Sequence, residues 1–289
     1  METTEALRSW QKHGSLVELG GHQLFVNEYG DRAAPALLFL HGFPTASFDY
    51  VRLVPFLSQS YRLLFFDFVG FGYSAKPRPY RYSLIEQAQL AEALCRHLGI
   101  TEVSLCAHDM GSSVALILLA RKLLPVRRLI LLNGSVLLKH YRPLLSQRLL
   151  LHPTTGPLIS QLGLIRRSLF ARQFRSLFPQ PPPDDEIDAF YSLICHNDGL
   201  AIYHLLIQYL AERRLHELTW LDALTQHTAP LLILWGQRDP VSRPQIAESV
   251  VERRPDACYI PLTEVGHYPQ WEAAGTVARH ILDFLRKHS

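Results

Sequence analysis

The sequence has no apolar run long enough to cross a membrane, which takes roughly 18 or more consecutive apolar residues. Its richest run, Leu129–Leu138, is short and is interrupted by Asn133 and Gly134. The N-terminal segment has mixed charges, among them Glu5 and Arg8, and no apolar signal core. We therefore expect a cytoplasmic protein without a membrane-spanning helix.

The sequence also lacks paired cysteines and a strong excess of charge. With 29 basic and 26 acidic side chains, the net charge is only +3, which argues against the clustered basic face of a nucleic-acid-binding domain. The 289 residues are 48% apolar, enough for a substantial core. Neither a disulfide framework nor a metal site is expected, because no paired spacing occurs among the four cysteines, Cys95, Cys106, Cys195 and Cys258.

Short apolar runs of strand length recur along the chain. Several are apolar on both faces, as in parallel strands covered by helices on each side. The first two flank Gly20-Gly21, which predicts a hairpin. The eight predicted strands are Leu16–Leu19, Gln23–Tyr29, Ala36–Leu40, Tyr61–Phe66, Val103–Ala107, Leu129–Leu132, Pro230–Trp235 and Cys258–Leu262.

Helical patterns lie between these strands and predict an α/β fold, with a mostly parallel eight-stranded sheet and helices on both faces. Residues 135–225 contain no convincing strand, so we expect them to form a helical lid inserted into a core built from residues 1–134 and 226–289. The predicted core helices are Phe48–Leu57, Leu84–Leu98, Gly111–Leu123, Pro244–Arg253 and Ala273–Lys287.

The strongest local pattern, Ala107–Ser112, follows a predicted strand and opens a predicted helix. It has the small-x-nucleophile-x-small form of a nucleophile elbow, with Asp109 where serine is usual. Small residues flank this position because the tight turn leaves no room for larger ones. The helix N-terminus would stabilise negative charge on Asp109. Taken alone, an aspartate that only caps the helix is an equal alternative.

Three further patterns follow strand ends, where an open parallel sheet presents its ligand site. After one strand, His41-Gly42-Phe43-Pro44 could contribute the backbone N–H of Phe43, which with that of Met110 would form an oxyanion hole. Asp239 and His267 each follow a later strand. Taken singly, these are a turn, a turn aspartate and one of 14 histidines.

Their order along the chain decides between these interpretations. Nucleophile, acid and base occur as Asp109, Asp239 and His267, each directly after a predicted strand, in the order of a hydrolase triad. We interpret them as a catalytic triad in which Asp239 orients His267 and His267 is the general base. His41, Pro44 and His108, which neighbour Phe43 and Asp109 in the chain, are predicted pocket residues.

Several segments carry a family resemblance: HGFPT (41–45), DFVGFG (67–72), KPRPY (76–80), EQA (86–88), RPLL (142–145), QYL (208–210) and HYPQ (267–270). From about residue 15 to 287, the chain resembles the epoxide hydrolase and haloalkane dehalogenase branch of the α/β-hydrolase superfamily. More narrowly, it resembles mesoderm-specific transcript (MEST)-like proteins. This resemblance implies an α/β-hydrolase fold. We expect no cofactor, because the sequence has no metal-ligand spacing and no phosphate-cradling loop.

An aspartate nucleophile suits attack on an sp³ carbon, which leaves an alkyl ester for a histidine-activated water to open. Epoxide opening also needs a proton donor for the leaving oxygen, and the resemblance places Tyr209 at one lid tyrosine of epoxide hydrolases. The other lid tyrosine has no clear match, since Phe170 and Phe174 lie in its neighbourhood. Substitutes for it are Tyr141, which we add as a second leaving-group residue, and Tyr191 and Tyr203.

Epoxide hydrolysis to a vicinal diol is the predicted activity. A haloalkane dehalogenase is the first alternative, but Met110 and Phe43 offer no side-chain N–H to a departing halide. A catalytically weak binding protein on the same scaffold is the second.

We expect a small apolar or amphipathic substrate, no nucleic acid and no metal, and leave a homodimer open. From residue 136 to 180 there are seven basic and no acidic side chains. Contact of this basic lid with an anionic membrane is therefore an alternative, less favoured than a solvated face.

Overall fold

The protein, described over residues 3–288 by a computed structural model, has an eight-stranded sheet within that range. Residues 1, 2 and 289 of the predicted core lie outside the described residues. The strands are β1 Ser15–Leu19, β2 His22–Tyr29, β3 Ala36–Leu40, β4 Arg62–Phe66, β5 Val103–His108, β6 Val126–Leu132, β7 Leu231–Gly236 and β8 Cys258–Leu262.

Across the sheet the strands are ordered β1-β2-β4-β3-β5-β6-β7-β8. Only the β1–β2 and β2–β4 pairs are antiparallel, and the other neighbours run parallel. This confirms the predicted mostly parallel sheet. It also brings the carboxyl ends of β3, β5, β6, β7 and β8 to one edge.

The central strands are buried on both faces, because helices cover the sheet on each side. Leu38 in β3 pairs with Leu64 in β4 and with Leu105 in β5, and all three side chains are fully buried. At the sheet margins, β1 and β8 contain exposed residues. The runs of apolar residues thus reflect the position of each strand in the sheet.

The helices are α1 Thr3–His13, α2 Val54–Leu57, α3 Leu84–His97, α4 Met110–Arg121, α5 Leu145–Leu151, α6 Thr155–Gln161, α7 Arg167–Arg175, α8 Asp184–Cys195, α9 Gly199–Leu206, α10 Tyr209–Gln226, α11 Gln245–Arg253, α12 Pro269–Glu272 and α13 Ala274–Lys287. Helix α1, which buries Leu7 and Trp10, was not predicted. The helix predicted over Phe48–Leu57 is a 3₁₀ turn, Ser47–Leu53, followed by α2. Pro55 lies at the start of α2, where its missing N–H is tolerated.

Helices α5 to α10 lie between β6 and β7 in the chain and form the inserted helical segment. Helix α10 packs against α4, the helix that follows the predicted nucleophile. The insertion therefore rests directly on the part of the core that carries Asp109. Within residues 3–288, no helix is both long enough and apolar enough to span a bilayer.

Candidate active site

Asp109 lies between β5 and α4 in a left-handed backbone conformation, with φ 43° and ψ −118°. Such a conformation costs about 1–3 kcal/mol and persists only where the surroundings fix it. Those surroundings leave no space: a Cβ on Gly111 would lie 2.1 Å from the Leu40 carbonyl oxygen, and one on Gly42 would lie 2.7 Å from the Asp109 Cβ. Asp109 therefore occupies the tight strand-to-helix turn of a nucleophile elbow.

The Asp109 carboxylate is 3% exposed and accepts a hydrogen bond of 3.0 Å from the Phe43 backbone N–H at Oδ2. Met110 is the first residue of α4, so its N–H belongs to the helix end that favours negative charge. The Phe43 N–H is thus bonded to the carboxylate, and the N–H of Met110, the residue that follows Asp109 in the chain, stays the predicted second donor.

Asp239, after β7, has both carboxylate oxygens occupied. Its Oδ2 lies 2.6 Å from Nδ1 of His267 and accepts a hydrogen bond of 2.7 Å from the Asn133 side chain. Its Oδ1 accepts the backbone N–H groups of Val241 and Ser242, at 2.7 and 3.0 Å. A buried carboxylate with so many donors has a fixed orientation. Asp239 therefore holds the His267 ring in one position and fixes a proton on Nδ1.

His267 is buried and carries its charge more readily than a free imidazole. Burial disfavours the imidazolium, but the Asp239 carboxylate and its hydrogen bond, with a contribution from Asp109, raise the pKa of His267 to about 9. The same negative charges would stabilise the imidazolium formed when the ring takes a proton from water. Because Asp239 is bonded to Nδ1, Nε2 is the ring nitrogen left to accept a proton.

The predicted pocket residues His41 and His108 lie behind the cavity, outside its lining. The His41 ring donates through Nδ1 to the Gly42 carbonyl and accepts the Phe68 N–H at Nε2, both at 2.9 Å. The Nε2 of His108 donates to the His267 carbonyl at 2.8 Å. Burial lowers the pKa of His41 to about 3 and that of His108 to about 4, so both rings are neutral. Their hydrogen bonds hold the loops that carry Phe43 and His267 in place.

One cavity joins Asp109 to His267, and the inserted helices supply much of its wall. Most of its lining is apolar, with polar side chains from Ser146, Gln147 and Gln173. The predicted pocket residue Pro44 is part of the lining. The complete lining is Phe43, Pro44, Asp109, Leu144, Ser146, Gln147, Leu150, Phe170, Gln173, Phe174, Leu177, Tyr203, Val241 and His267. Apolar walls with a few polar groups are typical of small-molecule sites.

Tyr209, at the start of α10, and Tyr141 are both buried beside Asp109. Burial, with the Asp109 charge next in importance, raises the pKa of each phenol, and each also influences the other. The Tyr141 hydroxyl donates to Oε1 of Gln147 at 3.3 Å. The Tyr209 hydroxyl has no partner of hydrogen-bonding geometry among residues 3–288. The two predicted leaving-group tyrosines are thus neighbours, and neither is part of the lining of the cavity that joins Asp109 to His267.

The other aromatic candidates are placed differently. Phe170, Phe174 and Tyr203 line the cavity. Tyr191 donates its hydroxyl to the Ile165 carbonyl at 2.8 Å and contributes nothing to the lining. Tyr203 is therefore the substitute tyrosine with access to the cavity.

Comparison with known proteins agrees with this architecture. The model of the alpha/beta hydrolase fold family matches residues 35–274. LipZ of Mycobacterium tuberculosis, which is named as a hydrolase, is 40% identical over 293 residues, covering 98% of this chain and 99% of its own. The human mesoderm-specific transcript homolog protein is 33% identical over 288 residues, covering 94% of this chain and 85% of its own. The chain belongs to the alpha/beta hydrolase family.

The resemblance to MEST-like proteins predicted from the sequence is thereby confirmed. Among solved structures, haloalkane dehalogenase DbeA from Bradyrhizobium elkani matches with a TM-score of 0.81 at 24% identity, covering 95% of this chain and 99% of its own. That match shows that the two proteins share a fold.

Two residues of this hydrolase's site were missed by sequence reasoning. Asn133, which binds Asp239, directly follows β6, so its place at a strand end was an available signal. Arg213 in α10 is fully buried near the two tyrosines, but its sequence context, Glu212-Arg213-Arg214, is typical of a solvated helix face. Only the packing of α10 on α4 shows that Arg213 belongs to the interior.

Among residues 3–288, no group of three or more histidine, cysteine, aspartate or glutamate side chains is arranged to hold a metal ion. The cavity instead brings together the Asp109 carboxylate and the His267 imidazole, which Asp239 holds through Nδ1, while Tyr141 and Tyr209 are buried outside the lining. This set of groups can carry out nucleophilic displacement and general acid–base steps.

Proposed function

We propose that this protein is a hydrolase that opens epoxides to vicinal diols through an ester on Asp109. The observation that carries the proposal is the position of an aspartate, in place of serine, at a nucleophile elbow that shares one cavity with His267. An aspartate that attacked a carboxylic ester would form an anhydride. A strained sp³ carbon is the more suitable electrophile.

In the first step, one Asp109 oxygen attacks an epoxide carbon and forms a C–O bond. The ring C–O bond at that carbon breaks, and its electron pair stays on the leaving oxygen. That oxygen takes a proton from Tyr209 or its neighbour Tyr141, which becomes a phenolate. Asp109 is now a neutral alkyl ester.

In the second step, Nε2 of His267 removes a proton from water as the water oxygen attacks the ester carbonyl carbon of Asp109. The backbone N–H groups of Phe43 and Met110 stabilise the oxyanion. The acyl–oxygen bond then breaks, the departing alkoxide takes the His267 proton, and the diol leaves. Asp109 returns its remaining proton to the phenolate through solvent, so the overall reaction adds one water to the epoxide.

The carboxylates that raise the pKa of His267 to about 9 are Asp239, Asp109 and Glu272, and one of them changes during the reaction. While Asp109 is ionised, it helps keep a proton on the imidazole. Conversion of Asp109 to a neutral ester removes that contribution and lowers the His267 pKa, so the imidazolium releases its proton to solvent and the neutral ring can then act as a base. General-base activity is therefore favoured only after the ester has formed.

Trapping of the ester tests the proposal directly. We expect His267→Gln incubated with styrene oxide to gain the mass of one substrate molecule, located on Asp109 by peptide mapping. Asp109→Ala in the same background should gain nothing. Asp49→Asn, which alters another buried aspartate, bound to Thr45 at 2.6 Å, is the matched control and should keep the adduct.

The same experiment separates the alternatives. An adduct with 1-bromobutane together with bromide release, but none with epoxides, would favour a haloalkane dehalogenase. Absence of any adduct or diol across a panel of epoxides and haloalkanes would leave a binding protein on a hydrolase scaffold.

A further inference from the structure

Arg213 is a buried cation without a carboxylate partner among the described residues. Its side chain is 1% exposed, and both Nε, at 2.9 Å, and Nη2 donate to the Oγ of Ser113. Its Nη1 has no hydrogen-bond partner within residues 3–288. A buried guanidinium is normally paired, because loss of hydration is otherwise uncompensated.

The stability of the fold gives no reason to keep this charge inside. Replacement of a buried charge by an apolar residue of similar volume is often neutral or stabilising. Burial accordingly lowers the pKa of Arg213, and the groups that oppose this effect are Tyr209, Asp109, Tyr141 and then Glu217. Three of these four belong to the proposed reaction.

The remaining carboxylate, Glu217, already accepts the Leu138 backbone N–H at 2.6 Å. Of the two carboxylates that act on Arg213, Asp109 has the larger influence.

Arg213 contacts both the proposed proton donor and the helix that follows the proposed nucleophile. Its guanidinium carbon lies 5.8 Å from the centre of the Tyr209 ring. Its anchor, Ser113, lies four residues after Asp109, one turn along α4. Helix α4 thus sets the position of the nucleophile and of the cation together.

We propose that Arg213 is a positioning residue whose fixed positive charge stabilises negative charge as it moves from Asp109 to the Tyr141–Tyr209 pair. This inference rests on the proposed function. When the ester forms, Asp109 loses its charge, and the phenol that gives up a proton gains one. Arg213 thereby exchanges one anionic neighbour for another, which lowers the energy of the displacement without contact with the substrate.

A test that needs no substrate measures the coupling between the two charges. Melting temperatures are determined for the wild type, Asp109→Asn, Arg213→Met and the double variant. We expect Asp109→Asn to lower the melting temperature by about 2–4 °C more in the presence of Arg213 than in the Arg213→Met background. Additive shifts would overturn the assignment, whatever the activity of the protein.

A second test measures the rate of adduct formation in the His267→Gln background with styrene oxide. We expect Arg213→Met and Arg213→Gln each to slow alkylation by about 10- to 100-fold, and Arg213→Lys to recover part of the loss because it keeps the charge. The matched control is Arg214→Met, which removes an exposed arginine next in sequence and should leave the rate unchanged.

The pH profile separates a role of the charge from a purely structural one. Loss of the cation makes Tyr209 a weaker acid, so the decline of the alkylation rate at high pH should move to higher pH in Arg213→Gln. An Arg213→Gln rate and profile equal to those of the parent would overturn the proposal. If no variant, including His267→Gln alone, forms an adduct, the proposed function fails, and the melting-temperature coupling still decides whether Arg213 balances Asp109.

Discussion

The sheet core and the inserted helices differ in how closely their residues are packed. In α4, every residue from Met110 to Leu119 is buried. The insertion, in contrast, exposes five large leucines in and beside α5 and α6: Leu145, Leu149, Leu158, Leu162 and Leu164. The core thus fixes the proposed nucleophile and base. The insertion supplies much of the cavity wall and carries the proposed proton donors.

The largest expected effect comes from glycine substitutions that compare the packing of the two regions. Gly111→Ala would place a Cβ 2.1 Å from the Leu40 carbonyl oxygen, so we expect a loss of about 3 kcal/mol or more of unfolding free energy, or failure to fold. A Cβ added at Gly163, in the insertion, would have no atom within 4 Å, so the strain in Gly163→Ala comes only from the backbone φ of +61°. Its cost should be about 1 kcal/mol. Chemical denaturation measures both, and equal losses would contradict the difference in packing.

The second-largest expected effect tests whether the insertion supplies the proton for epoxide opening. Tyr209→Phe in the His267→Gln background should slow alkylation by styrene oxide about 10²- to 10³-fold, because the leaving oxygen loses a proton donor. Alkylation by 1-bromobutane needs no proton and should change far less. Tyr191→Phe, which removes a hydroxyl bound to the Ile165 carbonyl, is the control within the insertion. Equal losses with both substrates would show that Tyr209 shapes the cavity and does not supply the proton.

The smallest effect is the pH dependence of the core pair His267–Asp239. Because the folded His267 pKa is raised to about 9, its contribution to stability is complete below pH 6.5 and is lost as the pH rises through 9. We expect the difference in unfolding free energy between the wild type and His267→Gln to shrink by on the order of 1–3 kcal/mol between pH 6 and pH 9.5. A difference that stays constant with pH would mean that the raised pKa is wrong.

The strand ends could be predicted from the sequence because each buried strand is a continuous apolar run followed by a polar or small residue. This rule locates Asp109, Asp239 and His267 without knowledge of any contact. It also covers Asn133, whose position after β6 was not used. The chain order of these loops is the basis on which these residues are predicted to be catalytic and not turn residues.

Arg213 and the surroundings of Tyr209 could not be predicted in this way. Whether a polar residue of an inserted helix faces solvent or the interior depends on how that helix is rotated against α4. The basic segment illustrates the same limit, since Arg167 and Arg175 form ion pairs with Asp184, outside the acid-free segment. Helix α1 was also missed. Its place in the fold depends on the packing of Trp10 against Tyr29 and Phe65, which the sequence does not show.

The most direct measurement of the central claim is a single turnover of styrene oxide by excess wild-type enzyme in water enriched in heavy oxygen. The tryptic peptide His97–Arg121, which contains Asp109, is then analysed by mass spectrometry. Attack of water on an Asp109 ester predicts one heavy oxygen in the Asp109 carboxylate and an unlabelled diol. Heavy oxygen in the diol, with an unlabelled peptide, would show that water attacks the epoxide directly and would contradict Asp109 as the nucleophile.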